Sequence, residues 1–315
     1  MRLSLIFTGL GLLLVRAFFD NLRGPLLPVF SHQLSLSYEQ VSWFLVLGYL
    51  AAAFCGAQLL SLIQRTSIQK IAALACLLAP VCALFSYWVR GLPSLLVFGV
   101  LVACTSALMG SMANLFVLQG TEPAYRARFY GLLHAMYGLG SQAAPVAVGF
   151  LLSRGYDWRL LFVGAIVPAL SLGAWSFCLK TPPISQSTTA AQPERPFSWF
   201  SIQGLIVGAF CIYVAGEVLS SMWLVTYLVE VRGFSVEQAT PYSAGFFIVI
   251  TLSRLACYWV RTDRVEAWAI AGGLTAGALS FILGLSGYSS AFVFVGLIGP
   301  YFPLVLARLS RYLPR

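Results

Sequence analysis

Arg16, Asp20 and Arg23 stand four and three residues apart in the first apolar stretch of the chain. On an α-helix of about 3.6 residues per turn, that spacing lines all three along one stripe. A carboxylate between two guanidiniums can hold an ion pair, exchange a proton or orient a polar ligand. A second acid, Glu217, lies in the seventh apolar stretch. A charge in hydrocarbon costs about 2.5–3.5 kcal/mol on insertion scales, so these side chains have to face a protein interior rather than lipid.

The elements that must position them are membrane helices. Of 315 residues, 59% are hydrophobic and 9% charged, whereas soluble domains carry about 25% charged residues. The apolar stretches run over 3–30, 40–63, 70–89, 94–118, 127–152, 159–179, 200–229, 241–260, 266–287 and 289–307. Each is long enough to cross about 30 Å of hydrocarbon at about 1.5 Å per residue. The expected class is therefore an all-α polytopic membrane protein with about ten transmembrane helices. The first stretch lacks an Ala-x-Ala cleavage site and carries three charges, so it reads as an uncleaved span rather than a signal peptide.

The net charge of +9 sits mainly in short connections, which argues for membrane topology and against nucleic acid as a partner. With a cytoplasmic N-terminus, thirteen basic residues fall on the cytoplasmic side: Arg2, Arg65, Lys70, Arg126, Arg128, Lys180, Arg195, Arg254, Arg261, Arg264, Arg308, Arg311 and Arg315. Four (Arg90, Arg154, Arg159 and Arg232) fall outside. The bias predicts that orientation, in a cell (inner or plasma) membrane. The seven cysteines all lie in apolar stretches without a CxxC pair and read as small buried hydrophobes.

Residues 180–199 form a polar Pro/Ser/Thr-rich connection, a flexible cytoplasmic linker. It separates a six-helix bundle at 1–179 from an incomplete four-helix bundle at 200–315. The halves echo each other. Ser37-x-Glu39-Gln40 reappears as Ser235-x-Glu237-Gln238, 198 residues on, and Asp20 and Glu217 are 197 apart. Parallel repeats of this kind belong to transporters that bind solute between the halves at midplane.

Several stretches carry a family likeness. They are Asp20-Asn21-Leu22-Arg23-Gly24-Pro25-Leu26-Leu27-Pro28, Leu133-His134-x-x-Tyr137-Gly138-x-Gly140, Tyr213-Val214-Ala215-Gly216-Glu217 with Trp223-Leu224, Arg254, and Gly299-Pro300-Tyr301-Phe302-Pro303. Together with two halves joined by a linker, they resemble the major facilitator superfamily, and within it the fucose and glucose/galactose permease branch. The resemblance implies a two-bundle architecture and alternating access. Arg16 can pair with Asp20 within the helix, which leaves Arg23 in need of another anion; since the resemblance implies that spans one and seven face each other, Arg23 or Arg16 would meet Glu217. The plain structural alternative is a fixed salt bridge. Departures are visible. The branch's acids before Leu-Leu-Pro and in span four are matched here by Gly24 and Gly110, and the loop after span two reads Gln64-Arg65-Thr66-Ser67. The family usually has twelve spans, so the chain is expected to lack the last two.

Around the implied cavity, Asn114, Gln142, Tyr137, Tyr213 and Trp223 offer amides and aromatic faces suited to a sugar-like ligand, or ordinary helix packing. His134 reads as a proton relay, a ligand hydrogen-bond partner or an interhelical hydrogen bond, and His32 is placed in an outer loop. Gly24-Pro25 and Pro28 are expected to interrupt the first helix, or to be tolerated within it.

The expected function is secondary transport of a small polar solute, a sugar being one candidate, by alternating access with proton coupling. The rivals are a truncated or non-transporting membrane protein and a drug or metabolite efflux carrier. Ala144-Pro145-x-x-x-Gly149 departs from the antiporter Gly-Pro-x-x-Gly run, which counts against efflux. No nucleophile–base pair or metal motif stands out, so no enzyme and no cofactor is expected. The implied partners are a small-molecule solute, protons and the lipid bilayer.

Overall fold

The computed structural model describes residues 1–122, 125–181, 202–257 and 263–305. The helices are α1 (Leu3–Leu34), α2 (Tyr38–Arg65), α3 (Ile68–Ser86), α4 (Leu92–Gly120), α5 (Arg126–Ser153), α6 (Arg159–Gly164), α7 (Ile166–Cys178), α8 (Ile202–Glu230), α9 (Val236–Ala256) and α10 (Asp263–Leu285). A 3-10 helix follows at Ser289–Ile298. The all-α class is as expected, and among the described residues no strand occurs. Residues 182–199, Arg195, Arg261, Arg308, Arg311 and Arg315 lie outside the described residues.

Among the described residues, eight helices, counting α6 and α7 together, are long and apolar enough to cross a membrane; the eighth and tenth expected stretches run into residues outside them. The α9 helix has 21 residues, but its first turns carry Glu237, Gln238 and Thr240. In the last stretch a turn at Gly299 and Pro300 separates the 3-10 helix from a further helical segment at 301–305. Between α6 and α7 the helix breaks at Ala165. Pro168 explains the break, because its ring clashes with the carbonyl four residues back and supplies no N–H to it.

Two units emerge from the contacts within the chain. One comprises residues 1–181 with Val225–Ala244, and the other 202–224 with 245–305. In the first unit, α1 packs against α4 and α5, α2 packs against α4, and α3 packs against α4 and α7. In lipid, apolar side chains gain little by leaving their surroundings, so close approach of backbones matters more. Glycine provides it. A Cβ on Gly9 would fall 2.7 Å from the Ala113 carbonyl on α4, and one on Gly140 would collide with the Leu14 carbonyl on α1. An aromatic cluster of Phe19, Phe30, Phe44, Phe98, Trp158 and Phe162 fills one end of this unit. Trp158 Nε1 donates to Gln33 Oε1 at 2.9 Å, which satisfies the buried indole.

Pro25 and Pro28 sit inside α1 without interrupting it. The buried surroundings hold the helix together, while the Asn21 and Gly24 carbonyls lose the N–H that residues 25 and 28 would ordinarily donate. His32 is no loop residue. It occupies the last turn of α1, where its Nε2 lies 3.1 Å from Glu230 Oε1. The Tyr38 hydroxyl donates to the same Glu230 oxygen at 2.5 Å. Of the cysteines, Cys76 and Cys82 are buried as expected, but Cys178 and Cys211 are exposed on their helices.

The repeated Ser-x-Glu-Gln motif does the same job twice. Gln40 N donates to Ser37 Oγ at 3.2 Å, and Ser37 N donates back to Gln40 Oε1 at 3.0 Å. Gln238 N donates to Ser235 Oγ at 3.3 Å, and Ser235 N to Gln238 Oε1 at 3.0 Å. Each pair is a capping box that satisfies two otherwise orphaned N–H groups at a helix start.

Candidate functional site

The stripe on α1 does turn inward. Arg23 is 2% exposed, and its guanidinium donates to the Asp20 carboxylate and, through Nε at 3.1 Å, to the Asp20 carbonyl. Arg16 Nη2 lies 3.7 Å from the other Asp20 oxygen. One carboxylate thus serves both arginines. Each guanidinium also lies over a tyrosine ring, Arg23 over Tyr49 at 4.8 Å and Arg16 over Tyr137 at 5.4 Å. The Tyr137 hydroxyl reaches toward Asp20 Oδ2 at 3.5 Å. These contacts stabilise charge that the helix could not otherwise hide.

A cavity of about 300 Å³ opens beside this cluster, walled by α1, α2 and α4. Arg16, Asp20, Arg23, Tyr49, Ser106 and Asn114 are among its lining residues. Small residues of α4 make the room, and Gly110 matters most. A Cβ there would fall 2.7–2.8 Å from Arg16 Cδ, Nε and Nη1. Asn114 Nδ2 bonds back to the Gly110 carbonyl at 2.8 Å, and the Tyr130 hydroxyl donates to the Asn114 carbonyl at 3.4 Å.

The second unit holds its own charge pair. Arg254 Nη2 donates to Glu217 Oε2 at 2.5 Å and to the Tyr213 hydroxyl at 3.3 Å. The Arg254 guanidinium lies 5.0 Å over the Phe302 ring, and Tyr213 stacks on Tyr301 with centroids 4.6 Å apart. The ion pairs inside each unit are local ones. Glu217 is matched by Arg254, and Arg23 by Asp20. The physical reason is local. A carboxylate has lone pairs for more than one guanidinium, so Asp20 takes both α1 arginines as near neighbours while balancing the charge of only one.

These two clusters sit in an all-helical fold that aligns over 99% of this chain with the D-xylose–proton symporter (TM-score 0.68, 16% identity, 83% of that chain). The sequence match is what decides the family: the Major Facilitator Superfamily model matches residues 9–315. The chain belongs to the major facilitator superfamily. It is 26% identical over 194 residues to the class C tetracycline resistance protein of Escherichia coli, covering 59% of this chain and 48% of that protein. It is 25% identical over 182 residues to the cis,cis-muconate transport protein of Acinetobacter baylyi, covering 51% and 43%. The chain spans about half the length of the curated relatives it matches. As a superfamily member with apolar helices of spanning length among the described residues, it is a multi-pass membrane protein.

Within this superfamily member, Arg16, Asp20, Arg23, Tyr137 and Asn114 come together in the first unit, and Tyr213 and Glu217 in the second. His134 and Gln142 lie on α5 and do not line the cavity, and Trp223 is half-buried on α8. Sequence reasoning missed Arg254 as the partner of Glu217, having counted it among the cytoplasmic charges. Its signal was a lone arginine at the end of an apolar stretch with no neighbouring acid. Tyr49 and Ser106 were also missed, since a single tyrosine or serine in an apolar run has no distinguishing pattern.

Proposed function

We propose that this chain is a secondary carrier that moves a small polar solute across the cell membrane by alternating access. The bundles at 1–179 and 200–315 act as the two moving bodies, joined by the cytoplasmic linker at 180–199, with the N-terminus cytoplasmic. The observation that carries this reading is the cavity beside the Arg16–Asp20–Arg23 cluster, in a chain of the superfamily. Asp20 is the proton-coupling acid. It is held by groups that strengthen or relax as its charge changes, the property a coupling carboxylate needs. The Glu217–Arg254–Tyr213 cluster provides a second polar station, with Gln142, His134 and Trp223 as further candidates.

A sugar solute would follow from the fucose and glucose/galactose resemblance. An efflux direction has its own support in the similarity to the tetracycline resistance protein. Reconstitution into proteoliposomes separates the readings. Solute accumulation under an inward proton gradient is the expected result. Accumulation only under an outward gradient reverses the direction, and no flux of any solute through well-folded protein makes the chain a non-transporting membrane protein.

A further inference from the structure

The cavity walled by α1, α2 and α4 does not balance its own charge. Arg16 and Arg23 contribute two positive charges and Asp20 one negative, which leaves one positive charge in surplus among the lining residues. The Glu217–Arg254 pair of the second unit has no such surplus. Two guanidinium nitrogens in the cluster also lack a partner: Arg16 Nε and Arg23 Nη1, the latter on a side chain 2% exposed. The buried Ser106 hydroxyl, on the same cavity, is unpartnered too. A buried charge without a counter-charge is costly, and a guanidinium fork fits a carboxylate two oxygens at a time.

Gly110 is what makes the surplus possible. Its missing side chain is the space that Arg16 fills, and an acid at this position would have cancelled the charge. A neutral sugar in this cavity would leave the extra guanidinium unpaired. A lone inorganic ion would occupy a small part of about 300 Å³. We propose that the cavity binds a small organic monoanion, its carboxylate received by Arg16 and Arg23 with the Ser106 hydroxyl as a further donor. The proposal rests on the carrier reading for its transport consequence, but the binding chemistry stands on the cavity alone.

The test uses the purified full chain and pairs of probes that differ only in charge: gluconate and gluconamide, benzoate and benzamide, hexanoate and hexanamide. Binding is read from thermal stability and tryptophan fluorescence at fixed chloride, and uptake from proteoliposomes. The acid of at least one pair is expected to bind about tenfold or more tightly than its amide. Gly110→Asp, which restores charge balance beside Arg16, is expected to erase that preference. Should this variant not purify as a monodisperse protein, Arg16→Gln serves the same purpose from the opposite side of the contact.

Equal or tighter binding of the amides overturns the proposal. So does binding of no probe, a response that tracks chloride alone, or an acid preference that survives charge balancing. Uptake of an amide with no acid preference leaves the carrier standing without the anion. Tight acid binding without any flux keeps the anion site and overturns the carrier.

Discussion

Glu217 and Arg254, 37 residues apart in sequence, close an ion pair at 2.5 Å inside the second unit. The Tyr213 hydroxyl accepts from the same Arg254 nitrogen at 3.3 Å. Removing one member strands the other as a half-buried charge, at a cost of up to about 3 kcal/mol. Glu217→Gln is therefore expected to lower the melting temperature in detergent sharply. The double variant Glu217→Gln with Arg254→Gln should recover most of the loss, because no charge remains unpaired. A double variant no more stable than the single one would show that the pair is not the source of the effect.

Asp20 receives both arginines of α1, and its role is separable from theirs. With Asp20→Asn, proton-driven accumulation is expected to fall by about tenfold or more, equivalent to about 1.4 kcal/mol. Exchange of labelled for unlabelled solute across the membrane should persist, since exchange needs no net proton movement. Accumulation that stays intact in a folded Asp20→Asn protein would reduce the cluster to a structural salt bridge.

Glycines on α1 and α5 divide by what surrounds them. A Cβ on Gly140 meets the Leu14 backbone carbonyl, which cannot rotate aside, whereas nothing lies within 4 Å of a Cβ on Gly131. Gly140→Ala is expected to lose folded yield and thermal stability. Gly131→Ala, on the same helix, should be neutral or stabilising by up to about 1 kcal/mol through helix propensity. The comparison is read by fluorescence size-exclusion and melting temperature. Equal behaviour of the two variants would count against close α1–α5 packing.

The two capping boxes allow a paired measurement. Ser37→Ala and Ser235→Ala each remove one acceptor for a helix-start N–H, for an expected cost of about 1 kcal/mol apiece. Two similar losses in chemical denaturation would establish the motif as a structural repeat. A loss at one site only would make the recurrence accidental.

Helices were legible because their signals are local and repeated. Long apolar runs mark the spans, and the 198-residue recurrence of Ser-x-Glu-Gln marks two helix starts that the structure caps alike. The inward turn of Arg16, Asp20 and Arg23 was legible too, since hydrocarbon rejects charge. Partner choice was not. Whether Arg23 turns to Asp20 or to a distant acid depends on a rotamer and on how many donors one carboxylate accepts, and neither is written in spacing. Pro25 and Pro28 look like helix breakers in sequence. Packing on all sides held α1 continuous through them, whereas Pro168 did break its helix. Propensity identifies the weak point, and tertiary surroundings decide whether it yields.

The contact between Gly110 and Arg16 also has a genetic consequence. Every glycine codon becomes an aspartate or glutamate codon through one change at its middle base. The positive surplus of the cavity is thus a single point mutation away from cancellation, with no insertion or rearrangement of the gene. A population under selection for a different nutrient or toxin would find that step early, and sequencing resistant or adapted isolates at this codon is a direct way to see whether it has been taken.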